Sequence, residues 1–186
     1  SFTSLQMLQN NGKDYVTKIM SLMDNINRPI NVDGTLPQEA GEIALNRLWA
    51  QGQNVKVGDA ITFKHDAGKG DEDGMTYLTC DTFTVTALVD SPAYVSYNLS
   101  SYGFANIGSG YIQCLAFVTP ESFDSSAYPG YVQAYIRSDS LRGSGTADAE
   151  YKEKVQALSD DITQLGDSLA EERYGGGTGE IKYSAV

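Results

Sequence analysis

Basic residues are scarce in this chain, and histidine is almost absent. Thirteen lysines and arginines stand against twenty-four aspartates and glutamates, so the 186 residues carry a formal charge of −11. Such a surface repels a phosphate backbone and anionic lipid headgroups, which argues against nucleic-acid binding and direct headgroup contact. No run approaches the roughly 18 apolar residues of a membrane helix. Residues Ser1–Asn10 have no basic start followed by an apolar block, so a secretory signal is not expected within them. The start also lacks a methionine, and Tyr183-Ser184-Ala185-Val186 stops without a closing element, so a piece of a longer protein is expected. There are only two cysteines, Cys80 and Cys114, at a spacing that fits no zinc or redox motif. Each lies in a strand-like run. A cross-strand disulfide outside the cytoplasm and a pair of buried free thiols both fit that placement.

What is present is globular. The hydrophobic fraction of 41% and the charged fraction of 20% allow a real core in one domain or two close lobes. Nineteen glycines signal many turns and favour strands over a helix bundle. Residues 1–35 are ambiguous: Tyr15, Val16, Ile19, Met20, Leu22, Met23 and Ile26 fit a helical face, and a short strand fits as well. Pro29, Gly34 and Pro37 make 28–38 an extended or turning connection. Residues 38–51 read as a helix through Ile43, Ala44, Leu45, Leu48 and Trp49, with Glu39 and Glu42 at its positive end and Gly52 as its stop.

Strands are predicted at Val55 to Phe63 around the Gly58-Asp59 turn, at Met75 to Cys80, at Phe83 to Val89, at Tyr111 to Val118 and at Tyr131 to Ile136. Thr119-Pro120-Glu121-Ser122-Phe123 is a short-helix start. From 147 to 173 a long helix is expected, with Tyr151, Val155, Leu158, Ile162, Leu165 and Leu169 recurring at four and three residues. That stripe suits packing on a sheet or, with few heptads, a coiled coil. The whole reads as an α+β fold.

Chemistry is thin. His65 beside Asp66 can orient a general base, but no Gly-x-Ser-x-Gly elbow supplies a nucleophile, and Gly143-Ser144-Gly145 is a loop tripeptide. An exposed loop histidine is the simpler account. Asp71-Glu72-Asp73-Gly74 lacks the terminal bidentate acid of a calcium loop and reads as a solvated turn. Gly68-Lys69-Gly70 has glycine where a phosphate loop needs a hydroxyl, and the Gly175 to Gly179 stretch follows a helix instead of a strand. Asp160-Asp161 and Glu171-Glu172 belong to the solvent face of the last helix. Asn98-Leu99-Ser100 is a formal glycosylation sequon. The richest stretch is 91–111, where Tyr94, Tyr97, Tyr102 and Phe104 lie among Ser, Gly and Asn. Aromatics on a loop form a contact surface for protein, peptide or sugar, or fold back to cover the sheet.

Four stretches together resemble a known family. Leu36-Pro37 with Gly41-Glu42-Ile43-Ala44-Leu45-Asn46 is similar to "LP…GEIxLN", and Val55-Lys56-Val57-Gly58-Asp59-Ala60-Ile61-Thr62-Phe63 to "KVGDxIxF". Phe83 to Ser96 is similar to "FxVxGxVxSPxYxS", with Ala87 in place of the usual glycine. Asn106-Ile107-Gly108-Ser109-Gly110, with Ala116-Phe117-Val118 and Phe123, is similar to "NIGSG…xFVxxxxF". These resemble the extracytoplasmic domain of an FtsX/MacB-like ABC transporter permease of the Gram-positive type, over about residues 30–174.

The resemblance implies a single extracytoplasmic domain, residues 1–186, from a larger membrane protein, with a β-rich lobe at 36–92 and an α/β lobe at 110–183 whose long C-terminal amphipathic helix packs on a sheet. It implies no enzyme activity and no cofactor in this domain, because ATP is used by a separate cytoplasmic ATPase subunit. The domain then faces outward from the cell membrane, contacts an extracellular substrate or protein, and transmits the ATP-driven conformational change. Its candidate contacts are Tyr94, Tyr97, Tyr102, Phe104 and the 147–173 helix. The rival readings are a free-standing extracellular binding or adhesion module using the tyrosine loop, and a secreted hydrolase fragment using His65 and Asp66.

Overall fold

A computed structural model describes residues 2–64, 77–94, 102–124, 126, 135–136, 138–141, 145 and 148–174. The chain forms two compact units, Ser1–Tyr135 and Ile136–Val186. The fold is a mixed sheet plus a long helix, which is α+β.

The first unit is built on seven strands: β1 (Thr3–Asn10), β2 (Lys13–Ser21), β3 (Ile30–Gly34), β4 (Glu42–Asn46), β5 (Ala60–Lys64), β6 (Thr82–Asp90) and β7 (Cys114–Val118). Their order is β3-β6-β4-β7-β2-β1-β5, and β5 also pairs with β6. Six strands therefore close into a barrel, with β3 laid against the C-terminal half of β6. The pairings β2–β7 and β4–β6 are parallel, and the others are antiparallel.

The ambiguous N-terminal segment is a hairpin. Asn10 faces Lys13 across Asn11 (φ 49°) and Gly12 (φ 75°), the two left-handed residues of the tight turn that matches strand twist. Alternation along β2 sends Thr17, Ile19 and Ser21 to one face and Val16, Lys18 and Met20 to the other. The inner face of the barrel buries Leu8, Ile19, Ile43, Leu45, Phe63, Phe83, Val85, Cys114, Ala116 and Val118 in one cluster. The outer face buries Val16, Met20, Ala44, Ala87, Val89, Leu115 and Phe117 in another.

Several expected elements fall differently. The helix expected over 38–51 is confined to α1 (Arg47–Gly52), and Ile43, Ala44 and Leu45 belong to β4. β4 lies between β6 and β7 and is buried on both faces, so its apolar run has no alternation to distinguish it from a helix. Asn46 ends the strand and caps the helix, its Oδ1 accepting from the Trp49 N–H at 3.1 Å. Val55 is a core residue ahead of the Gly58 turn, and the strand begins only at Ala60. Within Tyr77 to Cys80 there is a single bridge, Leu78 to Phe123, where Phe2 stacks on Phe123 at 5.4 Å. Pro120–Ser122 is a 3₁₀ turn with Pro at its start, as its sequence suggests. Of the expected strand at 131–136, residues 131–134 lie outside the described residues, and Tyr135 and Ile136 are not in a strand.

The apolar strand at 114–118 does not open a second lobe near residue 110. It is hydrogen-bonded between β2 and β4 inside the barrel. Both cysteines are free thiols in the structure: Cys114 is wholly buried inside the barrel, and Cys80 is half-buried against the same cluster. The disulfide weighed from the sequence is therefore not formed here.

β6 bulges at Thr86 against β4, and β3 is itself irregular between Ile30 and Asp33 where it pairs with β6. Gly34 (φ 98°) crosses β6 so close to the Thr86 carbonyl oxygen that an added Cβ would overlap it. Arg47 fastens the same corner, donating to the Leu88 carbonyl at 3.2 Å and reaching Asp90 at 3.7 Å and Asp33 at 3.9 Å.

The second unit carries α2 (Ala149–Tyr174), close to the long helix expected from the sequence. No described side chain of α2 is buried, and Leu165 and Leu169 are 60% and 54% exposed, so the stripe expected to cover a sheet is open at its C-terminal end. Among the described residues no helix is long and apolar enough to cross a membrane.

Two expectations follow. Leu45→Ala should lower barrel stability by about 2–5 kcal/mol, read as a shifted urea midpoint of Trp49 fluorescence, whereas Leu165→Ala should move it by less than about 0.5 kcal/mol. Thiol titration without reductant should count both cysteines in denaturant, with Cys80 slow and Cys114 silent in the native protein. A count of zero in denaturant would mean that the two are bonded.

Candidate functional site

The outer face of the barrel is apolar and needs cover, and the tyrosine-rich segment supplies it. Tyr102, Ile112, Ala105, Ile107 and Tyr94 pack on Val16, Leu115, Phe117 and their neighbours. Three glycines let the chain turn back on itself: Gly103, Gly108 and Gly110 all have positive φ. Gly108 also touches down on the strands, since a Cβ there would lie 2.7 Å from Val16 Cγ2 and 2.8 Å from Met7 Sδ. Backbone bonds from Ile112 to Gly103 and from Ala105 to Gly110 close the segment as a small loop.

The four candidate aromatics do not share one role. Tyr102 is 4% exposed and is a packing residue. Its ring meets Tyr94 edge-on at 5.8 Å, and its hydroxyl donates to Asn46 Oδ1 at 3.4 Å. Tyr94 is half-buried, and its hydroxyl accepts from Lys18 Nζ at 2.9 Å. That ammonium lies 5.7 Å from the ring centroid, beyond the oxygen it bonds, so the contact is a hydrogen bond and not a face-on cation–π pair. Phe104 is 80% exposed and lies 5.3 Å from the ring of Tyr111, itself 48% exposed. Tyr97 lies outside the described residues, as do His65, Asp66, Gly68 to Gly74, Asn98 to Ser100 and Gly175 to Gly179.

Two surfaces result. The first is a shallow cleft at the end of β2, where Met20, Met23, Phe117, Tyr94, Pro29 and Tyr135 meet. Its described lining residues carry no ionisable carboxylate, ammonium, guanidinium or imidazole, and they suit an apolar group. The second is the Phe104–Tyr111 pair, an aromatic platform standing into solvent. Sequence reasoning found Tyr94 and Phe104 but missed their companions. Tyr111 reads as a strand residue, and its pairing with Phe104 depends on the tight Asn106–Gly110 loop between them. Met20 reaches the cleft from the end of β2, and Met23 from the chain just beyond it. Among the described residues no group of three or more His, Cys, Asp or Glu side chains is placed to hold a metal ion.

Burial, the largest cause, holds the Tyr102 hydroxyl above the ordinary tyrosine range. Burial likewise pushes the Cys114 thiol far up, opposed by hydrogen bonds involving Thr17 and Asn46. Compared with protein-family models, curated proteins and solved structures, the chain shows no match.

Both groups are neutral when protonated, and both hold their proton more tightly folded than unfolded. The stability linked to them is complete below their ordinary values, 9.0 for the thiol and 10.0 for the phenol, and is lost as pH rises through the folded values. The urea midpoint should therefore be flat through neutral pH and fall on the alkaline side, and Tyr102→Phe should remove part of the fall above pH 10.0. An unchanged alkaline slope in Tyr102→Phe would show that this hydroxyl is hydrated in the folded chain.

Proposed function

We propose that this chain is the extracytoplasmic domain of an ABC transporter permease of the FtsX/MacB-like type, binding a substrate or partner and passing on motion driven by ATP hydrolysis in a separate cytoplasmic subunit. One observation carries the reading. The stretches that resemble the family lie on neighbouring parts of one body: Gly41 to Asn46 runs through β4, Val55 to Phe63 through the turn into β5, and Phe83 to Val89 through β6 between them. Asn106 to Gly110 is the loop tip that touches the outer face, and Ala116 to Val118 is in β7. The resembling stretches thus make up much of a single folded body.

In this reading the barrel is the β-rich lobe and the segment carrying α2 is the second lobe. The apolar cleft and the Phe104–Tyr111 pair are the contact surfaces. Conformational coupling requires contacts that differ between two states, and exposed aromatics on a short loop are suited to being made and broken. The full-length protein lies in the membrane with this domain outside. A second reading has one observation in its favour: the solvent-facing Phe104–Tyr111 platform also fits a free-standing extracellular binding module.

The coding sequence on either side of this segment separates the two. A permease requires a stretch of about 20 apolar residues upstream and further such stretches downstream, beside a gene for a nucleotide-binding ATPase. A frame that opens with a cleavable signal and ends near Val186 would overturn the permease and leave the secreted module.

A further inference from the structure

The apolar stripe of α2 is narrow. Tyr151, Val155, Leu158, Ile162, Leu165 and Leu169 are spaced by four and three residues alternately, the a and d positions of a heptad. A helix packed on a sheet or in a bundle needs a broader face, with apolar residues at e or g as well. Here the flanking positions hold Lys152, Lys154, Ser159, Asp161, Gly166 and Ser168. The a positions are Val155, Ile162 and Leu169, and the d positions Tyr151, Leu158 and Leu165. Val155 and Ile162 at a with Leu158 and Leu165 at d follow the pattern, β-branched at a and leucine at d, that favours two parallel strands. None of the six seam residues is fully buried: Tyr151, Val155, Leu158 and Ile162 are half-buried, and Leu165 and Leu169 are more than half exposed.

We propose that α2 pairs with α2 of a second copy of this chain, in a parallel two-stranded coiled coil. Charge placement fits a copy of itself. Glu150, Glu153, Asp160, Asp167 and Glu171 fall at c and f, on the side away from the seam, so between Tyr151 and Leu169 two acidic helices approach without opposing carboxylates. Only Asp161 flanks the seam, and Glu172 falls at the d position where it ends. A basic partner helix would find most of the acid on the far side.

The area sets the strength. From Tyr151 to Leu169 the seam is about 27 Å long at 1.5 Å per residue, and a width of roughly 10 Å removes about 270 Å² from each copy. The total of about 550 Å² lies well below the roughly 1,200 Å² of self-sufficient interfaces. The pairing is therefore reversible in dilute solution and persistent at the near-millimolar effective concentration of two tethered copies. It rests on the helix alone and holds whether or not the permease reading does.

The test uses single cysteines in the whole chain with Cys80→Ser, since Cys114 is enclosed in the barrel. Leu158→Cys and Leu165→Cys at d, and Asp160→Cys and Asp167→Cys at f, are oxidised in air at high protein concentration. Parallel register brings each d residue against its own copy within disulfide reach, whereas f residues stay far apart. Both d variants should link into dimers an order of magnitude faster than both f variants, and Leu165→Asp should sediment as a monomer where the parent chain shows a concentration-dependent dimer. Trp49 fluorescence checks that the barrel stays folded throughout. Equal linking at d and f, or no dimer at any concentration, overturns the proposal. Linking only between Leu158→Cys and Ile162→Cys chains overturns the parallel arrangement, because antiparallel helices place those two positions opposite each other.

Discussion

The burial of β7 on both faces is the constraint on which the barrel depends. The β1–β2 hairpin and the β4–β6 pair come from separate stretches of chain, and each offers an unpaired edge. Cys114–Val118 joins them, running parallel to β2 and antiparallel to β4. Every backbone group at those edges would otherwise need water or another chain. The strand can be central because all five of its residues are apolar: Cys114, Ala116 and Val118 enter the barrel, and Leu115 and Phe117 face out. Two small residues among the inner three leave room for Ile19, Leu45 and Phe83 to fill the interior.

That solution creates a second requirement. A barrel with an apolar outer wall needs a lid, and the chain makes one from the segment just before β7. Tyr102 is spent on this task, and Tyr94 largely so. Their hydroxyls find Asn46 and Lys18, which lets phenolic rings be buried without stranding an oxygen. Phe104 has no such use and stands exposed beside Tyr111. An aromatic that the fold does not consume is the better candidate for contact with something else, which shifts the weight of the site from the tyrosines to this pair. The left-handed conformations of Gly103, Gly108 and Gly110 make the division possible, because a loop of bulkier residues could not turn tightly enough to press its middle down and leave Phe104 out.

Legibility in the sequence followed periodicity. β6 and the α2 helix were readable because each shows a single period, two for Phe83 to Val89 and three-and-a-half for Tyr151 to Leu169. β4 was not, because a strand covered on both faces has no polar side, and its apolar run merges with the helix that starts one residue after Asn46. The β1–β2 hairpin had a signal in Asn11-Gly12 between Leu8 and Tyr15, and the helix-like spacing of Tyr15 to Met23 obscured it. The division of the chain was unreadable for a different reason. Closure of a barrel is a property of pairings between distant residues, such as Met7 with Lys64, and nothing local in either stretch encodes it. The site was legible by type and not by role: the aromatics stand out in the sequence, but which of them are consumed in packing depends on the face to which the loop returns.

The two units differ in how they settle their own surfaces. The barrel satisfies its strands by closing, and the edge left by β3 is short, bulged and crossed by the Arg47 pairs with Asp33 and Asp90, features that discourage further strand addition. The helix has no comparable device. Its exposed face includes the helix formers Glu153, Gln156, Ala157 and Gln164 and the Glu150–Lys154 pair at 2.7 Å, which favour a helix without requiring burial. It keeps an apolar seam all the same, two positions in seven wide. Polar substitutions along that seam would cost the isolated helix little, since a helix of this length in water loses nothing by exchanging an exposed leucine for glutamate or lysine. A seam that is spaced by heptads, has Val155 and Ile162 at a, and is flanked by small or charged side chains is best explained by a surface to be covered, and its width matches one further helix.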